Sequence, residues 1–299
     1  MLFQRAFAKI NLGLRVLRRR PDGYHEIETI FTRVNITDEI FVTPAEKLEF
    51  ECDRRDLSSE TNLVYRAAVL LQESLGVARG ARIVLRKNIP VGSGLGGGSA
   101  DAAAALRLLC RLWGENPTEE HLGDLALRLG SDVPFFLRPG SAHATSRGER
   151  LTYFRLEIPY PIMVVSPDLH IPTGEAYGAV APHDHAGSDD LKTLLIQHLG
   201  LPELLGNVMK NDFEQPIFRR HPVLHDLRTE IESAGALYCA MSGSGSSLFA
   251  LFQDEAHTRG AMERVKDRCA VFYTPPGFRP GLEILDIPGI PGIKERPVD

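Results

Sequence analysis

Five glycines fall within residues 92–98, between an apolar run at 81–85 and an alanine- and leucine-rich stretch at 102–112 that stops at Gly114. Glycine held in one conformation costs backbone entropy, so this density between a strand and a helix marks a place where main chain must approach something closely. The segment is Pro90-Val91-Gly92-Ser93-Gly94-Leu95-Gly96-Gly97-Gly98-Ser99-Ala100. Its N–H groups are unshielded by side chains, and a helix beginning after Ser99 aims its positive end at the same concavity. A polyphosphate is the natural occupant; a tight packing turn is the alternative. Gly92, Gly94 and Gly97 satisfy G-x-G-x-x-G, but a dinucleotide fold also needs an acid about 20 residues on, at the end of a second strand. Glu115 has that spacing, yet it lies in Trp113-Gly114-Glu115-Asn116-Pro117, a connection between helices. A Walker A loop fails as well, because no Lys-Ser or Lys-Thr follows the glycines.

The chain of 299 residues carries a formal net charge of −5, so an anion has to be bound by a local site and not by a protein-wide positive field. Neither nucleic acid nor a membrane is expected as a partner, and no apolar run reaches the roughly 18 to 20 residues of a membrane-spanning helix. Four cysteines, Cys52, Cys110, Cys239 and Cys269, show no C-x-x-C pairing. That argues against a disulfide scaffold or zinc ribbon and for a reducing, cytoplasmic setting. Arg5, Lys9, Arg15, Arg18, Arg19 and Arg20 precede the first acid, Asp22, as in a transit peptide. The first serine, however, is Ser58, and Leu12, Leu14 and Val16 alternate as in a strand.

Strands are predicted at 6–16, 26–34 and 39–42, with turn chemistry at Arg20-Pro21-Asp22-Gly23. Thr61 is placed as the cap of a helix whose apolar face is Leu63, Ala67, Leu70, Leu71 and Leu75, ending at Gly76. Pro117 and Thr118 begin another helix running to Leu129 and Gly130-Ser131-Asp132-Val133-Pro134. A proline-bounded segment at 159–161 leads into a strand at 162–165, and a domain boundary is set there, giving 1–159 and 160–299. The second part reads as a polar loop at 181–190, a helix at 224–233, a strand, glycine-serine turn and strand at 236–252, and a helix at 255–268. From Pro275 on, a Pro- and Gly-rich tail is expected on, or trailing from, the second domain. The fold class is α+β.

Three separated segments together resemble the signature motifs of the GHMP kinases, the superfamily named for galactokinase, homoserine kinase, mevalonate kinase and phosphomevalonate kinase. They are Ala8-Lys9-Ile10-Asn11-Leu12-Gly13-Leu14 with Asp22-Gly23-Tyr24-His25-Glu26, then residues 90–103, then Met241-Ser242-Gly243-Ser244-Gly245-Ser246-Ser247. Within the superfamily, the triple glycine and Gly130-Ser131-Asp132-Val133-Pro134-Phe135-Phe136 most resemble the branch that phosphorylates a cytidine-diphosphate-linked methylerythritol. The resemblance implies a two-domain GHMP kinase fold, with an N-terminal ribosomal-protein-S5-like nucleotide-binding domain and a C-terminal ferredoxin-like domain. It also implies ATP as phosphoryl donor with Mg2+ on the nucleotide and a small-molecule acceptor; a monomer or homodimer is expected, a choice the sequence leaves open. One departure stands out: Ala100 replaces the second serine usual after the glycines.

Phosphoryl transfer needs charge-stabilising donors and often a carboxylate near the attacking hydroxyl. Asp132 is the candidate base, with plain turn chemistry before Pro134 as the alternative. Lys9 is costly to bury unpaired between Ala8 and Ile10, and pairing with Asp132 resolves this. Asn11 shares its strand face by the period of two and is expected to orient the substrate hydroxyl or diphosphate. Tyr24 offers a stacking plane and His25 a ring nitrogen, and the resemblance assigns both to the cytidine, with Tyr177 as the second stacking face. Gly243, Ser244 and Gly245 bring second-domain backbone to the substrate or phosphates, or else close a plain hairpin. Asp101 sits where a helix dipole favours an acid in any case. Asn211 and Asp212 are expected to support the fold.

No protein metal ligands are assigned: His183-Asp184-His185 sits in a polar loop, and His221 and His225 lack the glutamate of H-E-x-x-H. The rival readings are another GHMP-type kinase, which the Tyr24-His25 pair argues against, and a non-catalytic nucleotide-binding regulator, which Lys9 and Asp132 argue against.

Overall fold

The computed structural model describes residues 1–183 and 187–289. It begins with two long antiparallel strands, β1 (Leu2–Arg19) and β2 (His25–Ala45), joined through the predicted turn. The two strands expected at 26–34 and 39–42 are one. The polar residues between them do not break β2, because buried Asp38 accepts the backbone N–H groups of Asn88 (2.6 Å) and Ile89 (2.8 Å). A residue that reads as a turn former is here an internal anchor for the entry to the glycine loop.

β3 (Leu48–Cys52), α1 (Leu63–Leu75) and β4 (Gly80–Arg86) follow, with β3 and β4 parallel. Asn62, not Thr61, caps α1: its Oδ1 takes the N–H of Val64 at 2.9 Å. Helix α2 (Gly97–Trp113) starts within the triple glycine, earlier than expected, so Gly97, Gly98 and Ser99 form its first turn. α3 (Glu119–Leu129) starts next to the predicted Pro117-Thr118 position, with Thr118 as its cap and not its first residue, and the short α4 (Val133–Phe136) begins directly after Asp132. β5 (Ser141–Ser146) and β6 (Arg150–Phe154) complete the first half, β5 pairing with residues 27–31 of β2 while β4 pairs with residues 39–45. Buried Ala102, Ala105, Leu106 and Leu109 of α2 meet Val64 and Leu71 of α1 and Ile40, Val42 and Ile83 of the sheet in one core. Alanine at several of these sites lets α2 lie close to the strands, which brings its N-terminus to the sheet edge where the site forms.

The second half is an antiparallel sheet built on β7 (Ile162–Pro167) and surrounded by α5 (Thr173–Ala179), α6 (Leu191–His198), α7 (Leu205–Val208), α8 (Glu214–Arg220) and α9 (Pro222–Ser233). β8 (Tyr238–Met241), β9 (Leu248–Leu251), α10 (Glu255–Val265) and β10 (Cys269–Thr274) complete it, in strand order β10-β7-β9-β8. Ala8, Ile10 and Leu12 of β1 pack with Val164, Phe249 and Leu251 of this sheet. By the alternation of a strand, Lys9 and Asn11 then face the opposite way, into the cleft. Backbone bonds from Leu14 to Lys210 and from Asp212 to Leu14, each 2.9 Å, fasten β1 to the second half.

The tail was expected on the second domain, but its described part returns to the first sheet. Gly277 bonds the carbonyl of Ile158, Phe278 meets Phe7, and β11 (Leu285–Asp286) pairs with Leu2 and Phe3. The outer edge of β1 would otherwise present unpaired N–H and C=O groups, and the tail covers it. Residues 184–186, which include part of the His183-Asp184-His185 run, and residues 290–299 lie outside the described residues.

Candidate active site

Two cavities meet between the halves of the molecule. The first, about 580 Å3, is lined by the glycine loop, Lys9, Asn11, Asp101, Gly243 and Ser244. The second, about 870 Å3, is lined by Tyr24, His25 and Tyr177. Ser99, Asp132, Arg147, Thr173 and Tyr177 belong to both walls, so Asp132 stands at the seam.

Lys9 is 4 % exposed, and its Nζ lies 3.4 Å from Asp132 Oδ2. The same ammonium donates to Asn11 Oδ1 (2.7 Å) and to the Gly94 carbonyl (3.1 Å), so all three of its hydrogens have an oxygen to face. Asn11 is locked in turn, its Nδ2 donating to Thr29 Oγ1 at 2.9 Å. It therefore fixes Lys9 as well as facing the cleft. Burial pulls the Lys9 ammonium below its ordinary 10.5, and Asp132 opposes this only in part. Loss of the Lys9 charge is expected to end activity on the alkaline side, with kcat falling as pH rises through a value below 10.5. A kcat profile flat up to that pH would count against a cationic role. The same depression makes charged Lys9 a cost to stability that shrinks as pH rises from its lowered pKa towards 10.5.

The two glycine turns sit directly on one another. A Cβ on Gly94, whose φ is +82°, would lie 2.0 Å from the Ser242 carbonyl oxygen, so no other residue fits this crossing. A Cβ on Gly243 would lie 3.2 Å from Asn11 Oδ1. Ser242 Oγ donates to the Gly94 carbonyl (2.9 Å), the Ser247 N–H to that of Ser93 (3.0 Å), and Asn211 Nδ2 holds the carbonyls of Met241 and Gly243, each at 2.8 Å. The turn between β8 and β9 is thus both a hairpin end and a second wall of the first cavity. Asn211 positions that wall, and Asp212 accepts the Val16 N–H at 2.7 Å.

In the second cavity the rings of His25 and Tyr177 stack at 4.9 Å and 19°, and Tyr177 meets Phe213 edge-on. Tyr24 is 54 % exposed. His25 thus covers one face of the Tyr177 ring. Burial, with the neighbouring Arg19, lowers the His25 pKa, and its ring stays neutral at physiological pH with one nitrogen free to accept. Burial, with the Asp132 charge adding, pushes the Tyr177 phenol up to about 12.

Residues 62–140 match the GHMP kinases N terminal domain and residues 193–271 the GHMP kinases C terminal family. A 4-diphosphocytidyl-2-C-methyl-D-erythritol kinase of Chlorobaculum tepidum is 41% identical over 279 residues, which is 92% of this chain and 97% of that protein. The chain belongs to the 4-diphosphocytidyl-2-C-methyl-D-erythritol kinase family. A relative of that name from Salinibacter ruber is 40% identical over 89% of this chain and 95% of its own. The crystal structure of a 4-(cytidine 5'-diphospho)-2C-methyl-D-erythritol kinase, 38% identical, superposes with a TM-score of 0.78 over 92% of this chain and 99% of that one. A mevalonate kinase structure at 13% identity and a TM-score of 0.70, over 92% and 99% of the two chains, shares the fold.

Beside Asp101, two charged residues that the sequence does not single out, Lys87 and Asp38, are buried at the first cavity. Lys87 is buried between Asp38 and Asp101, 2.7 Å from Asp101 Oδ2 and hydrogen-bonded to Asp38 Oδ2, and it lines the first cavity. Burial pulls its pKa down, but the two carboxylates more than offset this and hold it raised. Burial also pushes the Asp101 carboxyl well up. Lys87 stands between Arg86 and Asn88 and Asp38 between Thr37 and Glu39, polar settings that give no sign of burial, whereas Asp101 lies between Ala100 and Ala102. Among the described residues, one trio of potential metal ligands, Glu28, His143 and Asp190, lies outside both cavity walls. Arg15 and the Leu191 N–H already occupy the Glu28 carboxylate, and the Thr193 N–H and hydroxyl occupy that of Asp190.

Proposed function

We propose that this chain transfers the γ-phosphoryl group of ATP to the 2-hydroxyl of 4-diphosphocytidyl-2-C-methyl-D-erythritol, giving the 2-phosphate and ADP in the non-mevalonate route to isoprenoids. The observation that carries the reading is the Lys9–Asp132 pair, which stands where a glycine-lined phosphate cradle opens into an aromatic cavity. Residues 90–100, through the N–H groups around their glycines, and the N-terminus of α2 hold the ATP phosphates in the first cavity, facing the Gly243-Ser244-Gly245 turn. Tyr24, His25 and Tyr177 hold the cytidine in the second. Asp132 takes the hydroxyl proton as the oxygen attacks phosphorus. Lys9, held by Asn11, offsets the charge that grows on the transferred group.

Magnesium fits this site as an ion carried mainly by the phosphates. Mg2+ is commonly held by one or two carboxylates plus substrate phosphates. Asp101 Oδ1 is buried in the cavity wall and has no hydrogen-bond partner among the described residues, and the Ser99 hydroxyl lies on the same wall. When bound, the ion supplies charge neutralisation on the phosphate oxygens. Cys52, Cys110, Cys239 and Cys269 are all free, which supports a reducing, cytoplasmic location. No helix of the described residues is long and apolar enough to cross a membrane.

The test follows ADP release with Mg-ATP and each of four acceptors: the cytidyl substrate, mevalonate, homoserine and galactose. Turnover confined to the cytidyl substrate is the expected result. Turnover with another acceptor alone would retain the kinase and overturn the cytidine pocket. ATP binding without turnover of any acceptor would favour a regulatory protein.

A further inference from the structure

We propose that Arg147 binds the diphosphate of the cytidyl substrate and so sets preference for a nucleoside diphosphate over a bare nucleoside. The inference rests on the reading of the second cavity as the cytidine pocket. Arg147 lies on the turn between β5 and β6, where Ser146, at φ 65°, is the only described residue other than glycine with a positive φ. Such a conformation persists only where surrounding contacts hold it. Ser146 Oγ donates to Glu149 Oε1 (2.9 Å) and accepts from Arg20 Nη1 (2.7 Å).

Arg20 also pairs with Asp22 and Glu26 on either side of Tyr24 and His25. One side chain thus ties the turn carrying Arg147 to the turn carrying the proposed base-binding rings. On its other flank the turn reaches the reacting end, since a Cβ on Gly148 would lie 3.8 Å from Asp132 Oδ1.

The Arg147 guanidinium lies 4.6 Å over the Tyr24 ring, and its side chain is 27% exposed. Its Nε is buried without a hydrogen bond among the described residues, 3.8 Å from Glu149 Oε1. Nε thus faces Glu149, whereas Nη1 and Nη2 make no hydrogen bond among the described residues, and the planar fork they form matches phosphate oxygens. The glycine loop already supplies the ATP phosphates with N–H donors in the first cavity. The substrate's own diphosphate joins the cytidine to the methylerythritol, so it has to pass from Tyr24 and His25 towards Asp132. Arg147 lines both cavities along that path.

The experiment compares the affinities of CDP and cytidine for the wild type, Arg147→Gln and Arg147→Lys by calorimetric titration, together with KM for ATP and kcat. Wild type is expected to bind CDP more tightly than cytidine. Loss of a charged hydrogen-bonding partner in Arg147→Gln should weaken CDP by about 10- to 100-fold, with cytidine and the KM for ATP unchanged. Arg147→Lys should recover part of the loss, because a lysine keeps the charge without the fork. An unchanged KM for ATP shows that a variant is folded, and Arg147→Lys carries the test should Arg147→Gln fail to fold. An unchanged ratio of CDP to cytidine affinity in the variants would overturn the proposal, as would a fall in kcat with CDP binding intact. Wild-type turnover of the cytidyl substrate with such an unchanged ratio removes Arg147 alone. No turnover and no CDP binding by the wild type removes the cytidine pocket with it.

Discussion

Asp132→Asn is expected to lower kcat on the order of a thousandfold while ATP still binds. The carboxylate stands at the junction of the two cavities, with a side chain 32% exposed and therefore within reach of a substrate hydroxyl, and its remaining contact is the Lys9 ammonium. Asparagine keeps the shape but cannot take the proton, and a loss of that size corresponds to about 4 kcal/mol of barrier. ATP affinity should survive because the glycine loop and the α2 N-terminus are built from other elements. A second effect follows from the electrostatics. The Asp132 charge partly holds up the Lys9 pKa against burial, so the variant should move the alkaline limb of any residual activity to lower pH. Kinetics with the cytidyl substrate and calorimetric titration of ATP read both arms. Retention of kcat within about tenfold of wild type would remove Asp132 as the base.

The elements that carry the candidate site were largely legible in the chain, because the chemistry of the cradle is written in local runs. The glycines at 92–98, the alternation around Lys9 and Asn11, and a helix start beside Pro117 and Thr118 each follow from a local rule, and the structure places them accordingly. What escaped is what depends on distant partners. Asp38 looks like a break in β2, yet it is satisfied by N–H groups some fifty residues later. The tail carries no sign that the edge of β1 is where it will pair. Lys87 and Arg147 resemble ordinary charged residues until Asp101 and Tyr24 are seen beside them. The stacking of His25 on Tyr177 joins residues more than a hundred positions apart, and no local pattern fixes which face of either ring is covered.

Lys87→Met should be the most damaging substitution for stability. Lys87, Asp38 and Asp101 have side chains 6%, 0% and 2% exposed, so removing the cation leaves two carboxylates buried without their counter-charge. Breaking a buried pair by deleting one partner costs about 3 to 5 kcal/mol, whereas replacing a whole cluster by apolar groups is often neutral. Urea unfolding should therefore show a loss of that order in Lys87→Met and partial recovery in Lys87→Met combined with Asp101→Asn, which removes one of the stranded charges. The cradle should suffer too. Asp38 holds the N–H groups of Asn88 and Ile89 just before Pro90, and Asp101 lies in α2, so Lys87 joins the entry and the exit of the glycine loop. The double variant should regain stability while its KM for ATP stays raised, since the link across the loop is still broken. A single variant within about 1 kcal/mol of wild type would mean that water or rearrangement satisfies the two acids, and the triad would then lose its part in shaping the loop.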